Sequence, residues 1–61
     1  MTWYIQVHDA DGNVLVMNWP VGTYKKYSKW IDKAAQRMVD LYPSAKRWEV
    51  RPQPFTHKVV I

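Results

Sequence analysis

The stretch TWYIQVHDADGNVLVMNW, residues 2–19, decides the fold, because its pattern is typical of two strands joined by a tight turn. Apolar and polar side chains alternate along residues 2–8, which indicates a strand with one apolar face. The apolar members of this alternation are Trp3, Ile5 and Val7. Asp11 and Gly12 then favour a hairpin turn, since glycine accepts positive φ angles, and residues 14–19 form the returning strand.

One amphipathic helix is predicted after the hairpin. From Tyr24 to Tyr42 apolar side chains recur at helical spacing, with Thr23 as the predicted N-cap and Pro43 as the stop. The predicted apolar face consists of Tyr24, Tyr27, Ile31, Ala34, Ala35, Met38, Leu41 and Tyr42. Because the opposite face is charged, we expect the helix to pack on one face of a sheet and to expose its basic side to solvent.

The residues after the helix predict a return to the sheet. Residues 45–51 alternate, with Trp48 and Val50 directed inward, and residues 56–61 predict a short closing strand. The predicted fold class is α+β: a small ββαββ or ββαβ layer in a single domain, residues 1–61, with one amphipathic helix packed on one face of an antiparallel or mixed sheet. The uncovered face of the sheet is expected to be aromatic, which favours a homodimer.

The charge of the chain is positive and unevenly distributed. Net charge is +4, and all nine lysines and arginines lie in residues 23–61, whereas the charged side chains before them are Asp9 and Asp11. The second part of the chain is therefore expected to attract an anionic partner, either a polyanion such as nucleic acid or an acidic protein.

Lysines cluster at the predicted helix start, where the partial positive charge of a helix N-terminus disfavours them. Lys25 and Lys26 fall in the predicted first turn, and Lys29 falls in the second. With Gly22 and the free backbone N–H groups of a helix start they suit a phosphate or a carboxylate, and we interpret the lysines as functional because they oppose the local preference. The alternative interpretation is a solubilising surface.

Trp30 lies on the border between the predicted apolar and basic faces. Lys26, Lys33 and Arg37 flank it at helical spacings. A tryptophan among cations can stack on a nucleobase or anchor a protein interface, or it can close the core beneath lysine stems. The predicted partner-binding residues are Lys25, Lys26, Lys29, Trp30, Lys33 and Arg37, and Tyr24 is expected to join them in a protein interface.

The chain shows no recognisable pattern for metal, cofactor or catalytic chemistry. It has no cysteine and two histidines, His8 and His57, which we interpret as structural or surface residues. The segment DADGN starts like a calcium loop, but the sequence that begins there lacks the glycine and the acid that such a loop requires at fixed positions. No nucleophile motif or glycine-rich phosphate loop is present, so no catalytic residue, cofactor or metal is predicted. Without a long apolar run or a signal peptide, the expected protein is cytoplasmic and has no membrane contact.

The hairpin, the basic helix and the segment LYPSAKRWEVRP, residues 41–52, resemble small accessory proteins encoded by phages and prophages. The resemblance covers most of the chain and rests on the order of the elements and on the return to the sheet through Tyr-Pro, a small residue, Trp and Val. It implies a compact cytoplasmic factor of the kind that often binds and blocks a host or defence protein. Some such proteins bind nucleic acid instead.

These observations lead to two functional hypotheses. The first is a non-enzymatic protein-binding module, of the phage-type accessory or inhibitor kind, that binds through its basic and aromatic helix surface. The alternative is a nucleic-acid-binding module that contacts phosphates with the basic helix face and stacks bases on Trp30. The two differ in salt dependence, because phosphate binding releases counterions and falls steeply with salt.

Overall fold

In the computed structural model, which describes residues 1–58, three strands and one helix form the fold. Their order along the chain is β1 (Thr2–Asp9), β2 (Val14–Thr23), α1 (Lys29–Asp40) and β3 (Ala45–Arg51). The sheet order is β2-β1-β3 and both strand pairs are antiparallel, so β1 is the central strand. The predicted α+β class and the ββαβ order of the elements are confirmed.

The turn between β1 and β2 is built around the side chain of Asp9. Its Oδ1 accepts hydrogen bonds from the backbone N–H groups of Asp11 and Asn13, at 2.9 and 2.8 Å. Gly12 takes a φ of 83°, a left-handed conformation that glycine adopts without strain. The hydrogen bonds, with that from the Asn13 backbone foremost, lower the pKa of Asp9 below its ordinary value. The predicted hairpin is confirmed.

The main core lies between the sheet and α1. The central strand contributes Ile5 and Val7, which are fully buried, and Ala35 of α1 belongs to the same cluster. Apolar side chains from the surrounding elements pack against this cluster: Leu15, Val16, Val21, Val39, Ala45, Trp48 and Val50. The inward packing predicted for Trp48 and Val50 is therefore confirmed, as is the packing of the helix on one face of the sheet.

The helix begins later than predicted, at Lys29 rather than at Tyr24. Ser28 is the N-cap, because its side chain accepts a hydrogen bond from the backbone N–H of Trp30 at 3.2 Å. The predicted N-cap, Thr23, instead lies at the end of β2, where the strand still pairs with β1. The prediction is wrong because β2 continues to this residue, and the chain needs a loop of several residues to turn towards α1.

Both ends of the predicted apolar helix face lie outside the core. Tyr27 precedes α1 and is 54% exposed, and its ring packs edge-on against Trp3 with the ring centroids 5.9 Å apart. Its hydroxyl donates to the carboxylate of Asp32, and this hydrogen bond raises the pKa of Tyr27. Leu41 and Tyr42 follow the helix and are exposed. The buried face of α1 is therefore narrower than predicted and consists of Ile31, Ala35 and Met38.

The face of the sheet opposite α1 is covered by residues 52–58, here called the strap. Asn18 holds the strap with two hydrogen bonds: its Nδ2 donates to the carbonyl of Phe55 at 2.7 Å, and its Oδ1 accepts from the Phe55 N–H at 2.6 Å. Further along, Gln6 Nε2 donates to the carbonyl of His57 at 3.0 Å. The expectation of an open aromatic face is wrong here, because the strap buries the centre of this face.

The covered face bears on two other predictions. The closing strand predicted over residues 56–61 is not formed by residues 56–58, which belong to the strap, and the rest of that prediction lies outside the described residues. The homodimer stays a prediction, although the open sheet face that suggested it is not observed.

Within residues 1–58, no helix has the length and apolar character needed to cross a bilayer. In the same part of the chain, no cluster of three histidine, aspartate or glutamate side chains could hold a metal ion.

Candidate functional site

A surface groove of about 370 Å³ runs along one flank of α1. Two aromatic and two cationic side chains line it: Tyr24, Trp30, Lys33 and Arg37. The three helical residues occupy positions i, i+3 and i+7, which lie above one another on successive turns. Tyr24 comes from the loop between β2 and α1, so the groove lies where this loop meets the helix.

Hydrogen bonds with Trp3 of β1 and with Met1, which precedes this strand, hold the backbone of Tyr24 in place. The indole N–H of Trp3 donates to the carbonyl of Tyr24 at 3.2 Å, and the N–H of Tyr24 donates to the carbonyl of Met1 at 2.9 Å. Trp3 is buried, so its ring is fixed by packing and its N–H is satisfied by this carbonyl. The sheet therefore sets the position of the loop that carries one wall of the groove.

Gly22 makes room for the ring of Tyr24. It has a φ of 148°, and a Cβ atom at this position would lie 2.6 Å from Cε2 of Tyr24. Glycine is the residue that allows another group to approach the backbone so closely. Gly22 therefore allows the ring of Tyr24, one wall of the groove, to pack closely against the backbone.

Trp30 is the exposed aromatic side chain of the groove, with 54% of its surface accessible. The Nζ atom of Lys33 lies 4.6 Å from the Trp30 ring centroid, and that of Lys29 lies 5.8 Å from it. Both distances are within the range of about 6 Å over which a cation is attracted to a ring face. The interpretation that Trp30 closes the core is wrong, because its ring is open to solvent beside two cations.

The acids of α1 are engaged with neutral side chains, which leaves the groove positive. Asp32 accepts a hydrogen bond from the hydroxyl of Tyr27, and Asp40 accepts one from Gln36 Nε2 at 2.9 Å. Among the described residues, no acid lines the groove. The site therefore places ring faces beside an ammonium and a guanidinium group, an arrangement that can hold an apolar or planar group next to an anion.

The structure brings four of the predicted partner-binding residues to this site. Three line the groove, and the fourth lies beside the indole ring: Trp30, Lys33, Arg37 and Lys29. Lys25 and Lys26 lie in the loop before the helix, where they are exposed and do not line the groove. The prediction that Lys26 stands one helical turn before Trp30 is wrong, because the helix starts after it.

The late start of the helix also removes most of the unfavourable charge predicted there. The first turn of α1 holds Lys29 together with Asp32, an acid that is favourable near a helix N-terminus. Lys25 and Lys26 precede the N-cap and so do not occupy the first turn. The argument for function therefore rests on the geometry of the groove rather than on charge at a helix end.

From the sequence, Gly22 is expected in an anion site at the helix start, whereas the structure places it beside the ring of Tyr24. A signal was available, because a glycine near the end of a strand and two residues before an aromatic marks a close approach to the backbone. Tyr24 was assigned to the core by helical periodicity, yet it was also expected at the interface, and the structure places it in the groove.

The two histidines belong to the region of the strap. His8 Nε2 lies 2.6 Å from Gln6 Oε1. Because Gln6 Nε2 donates to the carbonyl of His57, its Oε1 is the atom that faces His8, and it accepts a hydrogen bond from that ring. His8 is thus a buried structural residue and His57 an exposed one, as the sequence predicts.

Comparison with protein-family models, with curated protein sequences and with solved structures gives no match for this chain.

Proposed function

We propose that this protein is a non-enzymatic binding module whose groove docks a partner protein. The observation that carries the proposal is the half-exposed ring of Trp30, which lies beside two ammonium groups in a groove that also contains Tyr24 and Arg37. Tryptophan, tyrosine and arginine are the residue types that most often dominate the energy of protein–protein interfaces. The groove contains one of each.

The chemistry of the groove defines the surface that it would accept. An apolar side chain of the partner would pack on Trp30, and a neighbouring carboxylate would take two parallel hydrogen bonds from the guanidinium of Arg37. Lys33 adds a second positive charge beside the ring. The partner surface is therefore acidic with an apolar centre, and its association is accelerated by charge and weakened by salt.

A module of this kind acts by covering the surface of its partner. From the resemblance to phage-encoded accessory proteins we infer that the partner is a host or defence protein in the cytoplasm. On this proposal the partner is inhibited by occupation of its surface, and no cofactor takes part.

The cations around Trp30 favour one second candidate, the binding of single-stranded nucleic acid. A base would stack on the indole ring, and the adjoining phosphates would contact Lys29, Lys33 and Arg37. Three phosphate contacts would give a slope of about −2 for the logarithm of affinity against the logarithm of salt concentration.

Affinity capture from a lysate of the native host, with and without nuclease, tests the first proposal against the second. The baits are the wild type, the groove variant Lys33→Glu/Arg37→Glu and the matched control Lys25→Glu/Lys26→Glu, which makes the same change of charge outside the groove. A protein partner that survives nuclease, is lost with the groove variant and is kept by the control supports the first proposal. Equal capture by all three baits contradicts a role for the groove.

Fluorescence anisotropy with a generic labelled oligonucleotide tests the second candidate directly. Binding at low salt that falls with the expected slope and is lost in the groove variant supports it. If neither a single strand nor a duplex binds at low salt, the nucleic-acid candidate is eliminated.

A further inference from the structure

The groove on α1 has the size of a site for a short peptide segment. Its volume is about 370 Å³ and four side chains line it. A stable interface between two folded surfaces takes about 20–30 residues on each side, which is far more than this groove offers. A few consecutive residues of an extended chain are therefore the part of a partner protein that fits it.

The three helical residues of the groove set a scale along the helix axis. Each residue of an α-helix advances by about 1.5 Å, so Lys33 lies about 4.5 Å and Arg37 about 10.5 Å beyond Trp30 along this axis. The Nζ atom of Lys33 is 4.6 Å from the Trp30 ring centroid. The cationic part of the groove therefore begins at the indole ring and extends to Arg37.

This scale matches the side-chain spacing of an extended peptide. Side chains two residues apart share a face of an extended chain and lie about 6.6–6.8 Å apart, whereas adjacent side chains point to opposite faces. With an apolar side chain on Trp30, the side chain two positions away lies between Lys33 and Arg37 along the groove. An acid at that position meets both cations, and an acid at the adjacent position points away from them.

The electrostatics of the groove favour a carboxylate at this place. Asp32 and Asp40, the acids of α1, accept hydrogen bonds from Tyr27 and Gln36, and no acid among the described residues lines the groove. No carboxylate of the groove lining therefore competes for Lys33 and Arg37. Hydrogen bonds between such cations and a carboxylate are stronger than neutral ones.

A single-stranded nucleic acid matches the length of the groove less well. Such strands usually occupy sites of about 4–16 nucleotides with several stacking rings. Three residues of an extended peptide span about 10 Å, which is close to the axial distance from Trp30 to Arg37. The dimensions of the site therefore favour the peptide.

On the basis of the proposed function, we propose that the groove recognises a short extended segment of the partner in which an aspartate or glutamate stands two positions from an apolar or aromatic residue. The apolar side chain packs between Tyr24 and the half-exposed ring of Trp30. The carboxylate accepts hydrogen bonds from Arg37 and Lys33. The segment alone contains what the groove binds, and the fold around it is not required.

NMR titration of the isotope-labelled protein with blocked peptides tests the spacing. The probes are acetylated and amidated, so they carry no terminal charge: Gly-Phe-Ser-Asp-Gly and the reversed order Gly-Asp-Ser-Phe-Gly. Each has an isomer of the same composition with Phe and Asp adjacent, and a version with Asn in place of Asp. The readout is the indole N–H signal of Trp30, assigned from its loss in Trp30→Phe.

We expect one of the two spaced peptides to bind saturably and about tenfold more tightly than its adjacent isomer and its Asn version, because each of these loses a hydrogen bond to a charged group. The variant Lys33→Glu/Arg37→Glu should lose this binding. The matched control Lys25→Glu/Lys26→Glu should keep it within about twofold, since both lysines lie outside the groove.

Three results would overturn the proposal. Equal affinities for the spaced and adjacent isomers, or for the Asp and Asn versions, would show that the groove does not read this pattern. A single strand of five nucleotides that binds the groove more tightly than every peptide would identify nucleic acid as the occupant. If no peptide binds although capture of the partner protein depends on Lys33 and Arg37, the short segment is wrong and the proposed function stands.

Discussion

At the scale of single residues, Trp30 is the side chain whose loss should weaken partner binding most. Its ring offers the groove's largest exposed apolar area, and truncation of such an anchor costs about 2 kcal/mol or more, roughly a 30-fold loss of affinity. We expect Trp30→Ala to show this loss in isothermal titration with the captured partner, and to leave the melting temperature nearly unchanged.

Trp19 supplies a matched control for this measurement. It is 50% exposed, close to the value for Trp30, but it lies on β2 and does not line the groove. Trp19→Ala should therefore leave the affinity within about twofold of the wild type. Equal losses of affinity from the two substitutions would mean that nonspecific contacts of exposed aromatic side chains, rather than the groove, drive binding.

Gly22 and Tyr24 form a pair whose coupling can be measured. In Gly22→Ala the new Cβ would meet the tyrosine ring at 2.6 Å, and the φ of 148° would strain any residue other than glycine. We expect a loss of stability of about 1–3 kcal/mol from strain, together with a displaced groove wall and weaker binding.

A double-mutant cycle separates the steric part from the backbone part. Tyr24→Ala removes the ring that the new Cβ would strike, so Gly22→Ala should cost less stability in that background than in the wild type. Urea denaturation of the four proteins gives the coupling. If the cost is the same in both backgrounds, contact with the ring does not explain the glycine.

At the scale of elements, the periodicity of the sequence predicts the strands and the helix well and their boundaries less well. The alternation in β1 and β3 and the Asp11-Gly12 turn were correct, because each depends on local side-chain direction or on a local φ angle. The helix start was wrong because Tyr24 and Tyr27 continue the helical spacing although they lie in a loop. Periodicity alone cannot distinguish these loop positions from helical ones. The pairing of β2 with β1 as far as Thr23 does distinguish them.

The corrected helix start can be tested through its cap. Ser28 accepts the backbone N–H of Trp30, so Ser28→Ala should reduce the free energy of unfolding by about 1 kcal/mol. Thr23→Ala should cost clearly less, since this exposed residue ends a strand and caps no helix. Chemical denaturation of both variants measures the difference, and a larger loss from Thr23→Ala would favour the earlier helix start.

The β1–β2 turn should make the stability of the protein depend on pH through Asp9. The pKa of Asp9 is lowered by its hydrogen bonds, so its stabilising effect is present above the ordinary pKa of 3.8 and is lost as the pH falls through the lowered value. We expect the urea midpoint of the wild type to fall more than that of Asp9→Asn between about pH 5 and about pH 2. Parallel curves for the two proteins would show that the carboxylate charge contributes nothing to the turn.

At the scale of the whole molecule, the strap was the feature that sequence reasoning did not anticipate. Its prolines indicate a turn and residues 56–61 predict a closing strand, whereas the role of the strap depends on Asn18 and Gln6, which are distant in sequence. Conversely, the groove was partly predictable because three of its four residues share one helix. Contacts within an element can be read from spacing, whereas contacts between a strap and a sheet cannot.

The groove and the strap lie on opposite sides of the sheet, so a substitution in one should not change the property that depends on the other. Phe55→Leu shrinks a buried anchor and should lower the free energy of unfolding by about 1–2 kcal/mol, a change that a domain of this size tolerates better than Phe55→Ala. Because α1 and Tyr24 are untouched, partner affinity measured well below the melting temperature should stay at the wild-type value. Trp30→Ala should show the reverse, with affinity lost and stability kept.

The combined variant tests whether the groove and the strap are separate sites. If the two sites are separate, the stability and affinity changes of Phe55→Leu/Trp30→Ala should equal those of the single variants added together, within about 0.5 kcal/mol. Thermal melts and titration calorimetry on the same four proteins provide both values. A loss of affinity in Phe55→Leu alone would show instead that the strap shapes the groove through the sheet, and that binding and strap docking are linked in one molecule.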